Sequence, residues 1–235
     1  MFHIFNRKCS FEESGLPGIM KDRHSHILYG VDDGVKTAEE SVQLLDWLEG
    51  LGLGELWLTP HVMEDIPNSS GSLRARFSEL DAMWHGKTRL HLAAEYMMDN
   101  LFGARLEAED LLLMEDDMVL VETSTWEPPY NMDETLDRIL KAGLRPVLAH
   151  PERYRYMDMK DYGKMTDRGV LLQLNIPSVL GAYGDHVQRK AERLLSDGMY
   201  TFSGSDCHSF RMLASLYSAK VLDRKCIDRI AALSS

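Results

Sequence analysis

Histidines and carboxylates stand at the ends of apolar segments along this 235-residue chain. His24-Ser25-His26, His61, Glu95, Glu122, His150 and Asp206-Cys207-His208 close or follow such segments. Typical runs are Leu56-Trp57-Leu58-Thr59, Val119-Leu120-Val121 and Pro146-Val147-Leu148-Ala149. The pattern constrains the fold because it demands strands whose ends converge on one place. Five of the nine histidines take part, where an ordinary surface would scatter them. Neutral imidazoles together with carboxylates suit zinc, manganese or iron. The leading expectation is a multinuclear metallohydrolase.

Strands are expected near residues 22–28, 55–59, 89–95, 118–123, 146–149, 170–174 and 199–204. Helical patterns alternate with them. Thr37 to Leu51 opens with a capping box, Thr37 with Glu40. Val42, Leu45, Leu48 and Leu51 form its apolar stripe, and Gly52 and Gly54 end it. Asp133 to Ala142 stops at Gly143, Asp185 to Ser196 precedes Gly198, and helices fill most of 209–234. Such alternation implies an α/β fold with a mostly parallel sheet. Patterning alone leaves an open sheet and a closed barrel both available. In a closed barrel the site gathers at the C-terminal ends of strands, which is where the candidates fall. Residues 62–74, with Pro67, Ser69, Ser70, Gly71 and Ser72, read as a mobile loop that either covers a site or simply connects. Residues 1–20, broken by Gly15, Pro17 and Gly18, read as a leader of uncertain structure before a single domain over 21–235.

The length fits one α/β domain, and the apolar fraction of 44% is ordinary for a globular chain. No stretch approaches 18 consecutive apolar residues, so no membrane span is expected. The first fifteen residues lack the long apolar core of a signal peptide. Cys9, Cys207 and Cys226 do not make a disulfide framework, and a reducing cytoplasm fits. A net charge of −11 argues against a nucleic-acid groove. It does not exclude a small anionic substrate, because bound cations reverse the local sign.

His24 and His26 lie two apart, which on a strand puts both on one face. Asp206 and His208 repeat that spacing. In Asp32-Asp33-Gly34, Gly34 permits a tight turn with positive φ, so Asp33 can fold back toward the ions while Asp32 caps the turn. His61 follows Pro60 and His150 precedes Pro151, positions that suit strand ends. A lone buried carboxylate at Glu95 or Glu122 is costly, and an ion offsets that cost. Pairing with an arginine, or reaching solvent, is the alternative for each. Nine candidate ligands result: His24, His26, Asp33, His61, Glu95, Glu122, His150, Asp206 and His208. Four carboxylates against three divalent ions leave a formal +2, which a phosphate monoester dianion neutralises. Arg153 can reach a phosphate bidentately or pair with Glu152. Arg211 is a second candidate. Trp126, Pro128, Pro129 and Tyr130 can wall a pocket for an aromatic leaving group, or merely pack a loop.

A cysteine-based phosphatase needs an arginine six residues after its thiolate. Cys9, Cys207 and Cys226 have Gly15, Leu213 and Ala232 there. No glycine-rich phosphate loop with a lysine is present, so kinase or ATPase chemistry is unsupported.

His24-Ser25-His26-Ile27-Leu28 with Asp32-Asp33-Gly34, followed by Thr59-Pro60-His61, resembles the polymerase-and-histidinol-phosphatase (PHP) superfamily. Leu120-Val121-Glu122, Ala149-His150-Pro151-Glu152-Arg153-Tyr154 and Ser205-Asp206-Cys207-His208 resemble its bacterial metal-dependent tyrosine phosphatases of capsule and exopolysaccharide systems. The likeness runs from about Lys21 to Leu213. It implies a distorted seven-stranded β/α barrel, TIM-barrel-like, holding three divalent metal ions, manganese in activity and sometimes iron or zinc. It implies His24, His26, Glu95 and Asp206 around one ion. Glu95, Glu122 and His150 serve a second, and Asp33, His61 and His208 a third. Arg153 matches the family's phosphate-binding arginine, and Asn175 lies in a family-like segment without an assigned role. The implied substrate is phosphotyrosine on the C-terminal tail of a membrane-bound bacterial tyrosine kinase, with inorganic phosphate as product. A small-metabolite phosphatase, such as a histidinol-phosphatase, and a non-catalytic, metal-stabilised kinase-binding protein are the competing readings.

Overall fold

The computed structural model describes residues 8–234. The first seven residues of the expected leader lie outside the described residues. Nine short strands and nine helices, among the described residues, alternate along the chain. The strands are β1 (Lys21–Asp22), β2 (Glu55–Leu58), β3 (His61–Val62), β4 (Arg89–Leu92), β5 (Glu95–Met97), β6 (Met118–Glu122), β7 (Arg145–Leu148), β8 (Leu171–Asn175) and β9 (Phe202–Gly204). The helices are α1 (Ala38–Gly50), α2 (Ser70–Met83), α3 (Phe102–Glu107), α4 (Met132–Lys141), α5 (Met159–Asp167), α6 (Ile176–Val179), α7 (Asp185–Ser196), α8 (Phe210–Ser218) and α9 (Arg224–Ala231).

Strands β1-β2-β4 form one sheet and β3-β5-β6-β7-β8-β9 another, every pair parallel. The ladder continues across the interruption between β2 and β3 and between β4 and β5. The Ala93 N–H donates to Leu58 O at 2.9 Å and the Glu95 N–H to Pro60 O at 3.1 Å. At the other edge the segment after β1 meets the end of β9. Arg23 N–H donates to Ser203 O, Asp206 N–H to His24 O and His26 N–H to Cys207 O, at 3.2, 2.7 and 2.9 Å. The parallel sheet is therefore curled, in the manner of a PHP-type barrel.

Side-chain alternation sorts the core. Val119 and Val121 join the large outer cluster beneath the helices. Leu120 joins a smaller inner cluster with Trp57, Met114, Met118, Val147 and Phe202. This inner cluster packs inside the curl, where Leu120, Val147 and Phe202 of β6, β7 and β9 meet. Each fully buried side chain of this size contributes roughly 1.5–3 kcal/mol.

Helix α1 begins where the sequence predicts. Thr37 accepts from Glu40 N–H and the Glu40 side chain accepts from the Thr37 N–H, completing the capping box. Leu44, Leu45 and Leu48 are its buried apolar residues, while Val42 and Leu51 pack against the core edge. Helix α7 occupies the expected span, and α4 starts one residue earlier than Asp133.

Four expectations need correction. Residues 62–74 are not one loop: Ser69 caps α2 through a Ser69–Ser72 box, and the helix starts at Ser70. Helices α3 and α5 were also unforeseen, although Asp158 and Asp161 form a capping box before α5. Of the first expected strand, 22–28, only Asp22 pairs as a strand, together with Lys21 before it, and a single further bridge joins Ser25 to Cys207. Gly34 has no positive φ. Its lack of a side chain matters because a Cβ there would lie 2.6 Å from His26 Cβ and closer still to His26 O.

Residues 8–20 pack against the domain. Cys9 and Leu222 exchange both backbone hydrogen bonds, at 2.9 and 3.1 Å. Phe11 and Leu16 are fully buried, and the Phe11 ring lies 4.2 Å from that of Tyr217. The three cysteines are free. No helix among the described residues is long and apolar enough to cross a membrane.

Candidate metal centre

Nine side chains come together toward the C-terminal ends of the ladders, in which β3 continues β2 and β5 continues β4. His61 opens β3, Glu95 opens β5 and Glu122 closes β6, while His150 and Asp206 lie just beyond β7 and β9. His150 and Asp206 both have left-handed backbone, with φ of 34° and 49°. Non-glycine residues adopt that region at a cost of about 1–3 kcal/mol, typically where a site requires it. Here it turns each side chain inward at the moment its strand ends. Gly204 admits His24: a Cβ at Gly204 would lie 2.8 Å from the His24 nitrogen.

Among the described residues three groups can each hold an ion: His26, Asp33, His61 and His208; His24, His26 and Asp206; and His61, Glu95 and Glu122. Within each group the donor atoms lie within 4.8 Å of one another. The groups share His26 and His61, so the three positions form one cluster. Glu95 sits at its centre. Its Oε2 lies 3.3 Å from His24 Nε2, 3.4 Å from His26 Nε2 and 3.0 Å from His61 Nδ1. Its Oε1 lies 3.1 Å from His150 Nε2. His150 is also 3.6 Å from Glu122, placing it beside the third group.

Neighbouring acceptors decide which imidazole nitrogen faces the centre. His24 Nδ1 donates to Gln173 Oε1 at 2.9 Å, His26 Nδ1 to Asp32 Oδ2 at 2.8 Å and His208 Nδ1 to Asp206 O at 2.9 Å. Each tautomer leaves an Nε2 lone pair pointing inward, the arrangement a metal ligand needs. His24 Nε2 and His26 Nε2 stand 3.1 Å apart, aimed at one point. Asn175 Nδ2 and Arg153 both hold Asp206 Oδ2, at 3.0 and 2.9 Å. That leaves Asp206 Oδ1 for His24 and His26, at 3.5 and 3.4 Å.

Several buried atoms have no hydrogen bond at all. Glu95 Oε2, Glu122 Oε1 and His61 Nδ1 are close in distance but wrongly oriented to bond. Orphaned buried carboxylate oxygens are costly. Cations between them would satisfy these atoms, so the donor set fits divalent ions. Without ions, protons hold the charges together. Burial and the His26 charge oppose protonation of His61, yet Glu95 and Glu122 raise its pKa to about 10. Burial likewise opposes protonation of His26, but Asp206, Asp32 and Glu95 lift it well above the usual histidine range. Burial would raise Glu95, and the surrounding imidazoles instead push it well below the carboxylate range. Asp32 is also opposed by burial, and its bonds to His26 bring it down to about 2.

Other sequence-derived candidates lie around this cluster. Asp33 is the most exposed of the nine, 3.6 Å from His61 Nε2 and 3.4 Å from His208 Nε2. Arg153 pairs with Asp206, and not with Glu152. Glu152 is buried and accepts from Asn175 N–H and Tyr200 OH. Tyr183, not singled out from sequence, covers the Arg153 guanidinium at 4.7 Å. Trp126 and Tyr130 are exposed, and no ring contact, ion pair or hydrogen bond joins either to the nine residues among those described. Arg211 is exposed on the first turn of α8, likewise without such a contact. Asp32, Gln173 and Asn175 are the positioning residues that sequence reasoning missed or left without a role. Gln173 did leave a signal, as the lone amide inside Val170-Leu171-Leu172-Gln173-Leu174.

A curled parallel sheet with this donor set at its strand ends defines a PHP-type protein with a polynuclear metal-binding centre. The chain belongs to the family described as capsular polysaccharide synthesis, CpsB/CapC, whose model matches residues 20–228. It is similar to the tyrosine-protein phosphatase CpsB of Streptococcus pneumoniae, 26% identical over 234 residues, covering 89% of this chain and 96% of the relative. CpsB of Streptococcus agalactiae is 28% identical over 209 residues, covering 81% and 83%. In structure the chain resembles one from the crystal structures of YwqE from Bacillus subtilis and CpsB from Streptococcus pneumoniae, described as unique metal-dependent tyrosine phosphatases. The TM-score is 0.78 at 20% identity, over 91% of this chain and 85% of the other.

Proposed function

We propose that this chain is a metal-dependent phosphotyrosine phosphatase acting on the phosphorylated C-terminal tail of a bacterial tyrosine kinase of polysaccharide export. The observation that carries the reading is the convergence of nine donors, Glu95 central among them, with buried oxygens on Glu95 and Glu122 left unbonded. Membership of the CpsB/CapC family and the names of its relatives supply the substrate class.

Three divalent ions are assigned, with manganese as the working ion and iron or zinc as substitutes. His24, His26 and Asp206 hold one, His26, Asp33, His61 and His208 another, and Glu95, Glu122 and His61 with neighbouring His150 the third. When bound, such ions supply Lewis-acid charge to phosphoryl oxygens and make a water nucleophilic near neutral pH. The protein's own residues orient the reaction. Gln173, Asp32 and the Asp206 carbonyl fix the imidazole tautomers. Arg153, anchored on Asp206 through one nitrogen and partly exposed, presents its remaining N–H groups to the phosphate. Asp206 thereby couples the arginine to the donor cluster. Inorganic phosphate leaves from the same opening.

The interrupted pairs β2/β3 and β4/β5 each count as one strand in this reading. With β1, β6, β7, β8 and β9 they make seven, and the bonds between residues 23–26 and 203–207 close a distorted barrel. Residues 21–235 form the catalytic domain, to which 8–20 add a packed strap. The cytoplasm is the assigned compartment.

Elemental analysis with phosphatase assays across manganese, iron, zinc and magnesium tests the centre. Turnover of a phosphotyrosine peptide against histidinol phosphate tests the substrate. Preference for the peptide is expected, and preference for histidinol phosphate would replace this reading with a metabolite phosphatase.

A further inference from the structure

Two residues past Arg153 stands a second arginine with a different environment. Arg155 is exposed, and its guanidinium lies 3.7 Å from the centroid of the Trp126 ring. Most arginines near acidic neighbours in this chain are in ion pairs, as with Arg145–Asp117 and Arg168–Asp133. Arg155 has none among the described residues. Asp158, three residues on, is occupied in capping α5. In a chain of net charge −11, an arginine without a carboxylate partner has its hydrogen-bonding edge free.

The position of Arg155 is fixed by the backbone that carries the metal ligands. Its N–H donates to Thr125 O at 2.9 Å. The hydroxyl of Thr123, next to Glu122, shares a hydrogen bond with that of Tyr156. Tyr154 OH contacts the Thr123 N–H at 3.4 Å. The segments after β6 and after β7 are thus cross-linked just beyond Glu122 and Arg153. On that base Trp126 holds one face of the guanidinium flat, which leaves the fork of N–H groups pre-organised for a planar anion.

Residue spacing sets what that anion can be. Consecutive Cα atoms are 3.8 Å apart, so the Cα of Arg155 lies at most about 7.6 Å from that of Arg153. An extended peptide advances about 3.3 Å per residue. That separation is about two residues of an extended peptide, the scale on which the residues flanking a phosphotyrosine at Arg153 are spaced.

We propose that Arg155, stacked on Trp126, forms a subsite for a carboxylate side chain adjacent to the phosphotyrosine, so that the enzyme favours acidic flanking residues. The inference rests on the phosphotyrosine reading above. Trp126 serves as the platform for the arginine and so acts on specificity through it.

The test uses three phosphotyrosine peptides, identical except for Glu, Gln or Lys on both sides of the phosphotyrosine, with p-nitrophenyl phosphate as a flank-free reference. The metal-loaded enzyme should show kcat/KM for the Glu peptide about fivefold above the Gln peptide, with Lys lowest. The preference should shrink as salt rises. Arg155→Gln should level the three peptides, so that its loss on the Glu peptide exceeds its loss on p-nitrophenyl phosphate about fivefold. Arg155→Lys, which keeps the charge without the planar fork, should restore part of the preference. A flat response of the wild type to flanking charge would overturn the subsite while leaving phosphotyrosine hydrolysis in place. So would an Arg155→Gln variant that keeps the wild-type ranking. Failure of the wild type to hydrolyse any of the three peptides, with p-nitrophenyl phosphate still turned over, would overturn the phosphotyrosine reading and the subsite with it.

Discussion

The two halves of the interrupted strands carry similar residues to opposite ends. On β4, His91 faces Glu55 of β2 at 3.4 Å. Further along the same two ladders, His61 faces Glu95 at 3.0 Å. Both are histidine–glutamate couples across neighbouring parallel strands, yet they behave oppositely. His91 stacks on Trp57 at 4.1 Å, and burial lowers its pKa despite Glu55. His61 is more deeply buried but has two carboxylates at 3.0 Å, and its pKa rises to about 10. Proximity to one acid does not make a metal site. Several acids and imidazoles sharing one dry volume do, because each then needs a positive charge that water cannot supply.

The largest contrast should come from removing a donor at one end and a histidine at the other. Asp206→Ala or His150→Ala should cost several kcal/mol of transition-state stabilisation, about a thousandfold in kcat/KM. His91→Ala should leave turnover near the wild-type value. Steady-state assays with metal analysis on all three variants check this, and a fully metal-loaded Asp206→Ala at wild-type rate would erase the distinction between the ends.

Next in size is the coupling between ions and protons. His24, His26 and His61 all have raised pKa values in the metal-free cluster, so metal uptake must expel protons. Below about pH 10 His61 is held protonated, and affinity should fall as pH drops across the neutral range. Calorimetry in buffers of different ionisation heat should detect proton release on manganese binding. Uptake with no proton release would contradict the assigned electrostatics.

A smaller effect is expected one layer out. Asp32→Asn and Gln173→Ala should weaken metal binding about 10–100-fold by freeing the His26 and His24 tautomers. Equilibrium dialysis against manganese would register it. The smallest effect belongs to the opposite end. The folded pKa of His91 lies below its unfolded value, so the unfolded chain takes up a proton first. That stability contribution is complete above the unfolded pKa and is lost as pH falls below it. His91→Gln should cost about 1 kcal/mol through the lost stack on Trp57 while flattening this acid-side decline, as followed by thermal denaturation against pH.

Much of the frame was legible because its signals were local. Thr37 and Glu40 announce α1, and glycines end several helices where expected. Helix α2 was hidden because Ser69, Ser70, Gly71 and Ser72 carry loop composition and only Leu73 and Leu80 are buried along it. The donors themselves were visible, since a histidine or glutamate closing an apolar run is conspicuous. Their supports were not. The roles of Asp32, Gln173 and Asn175 depend on partners as far as 149 residues away in sequence. The left-handed turns at His150 and Asp206 have no compositional mark at all. Trp126 was expected to wall a pocket or pack a loop; one face of its ring carries Arg155, which no local pattern distinguishes.

The strap of residues 8–20 reaches further than its place outside the donor cluster implies. Phe11 presses on Tyr217, and α8, which carries Tyr217, begins directly after Ser209, one residue beyond His208. Behind that helix, Cys9 clasps Leu222. The earliest described segment is therefore a buttress for the last pair of candidate donors delivered by the chain. Trimming the chain at Lys21 for convenience would remove no donor, yet it would take away the wall against which Asp206 and His208 are set.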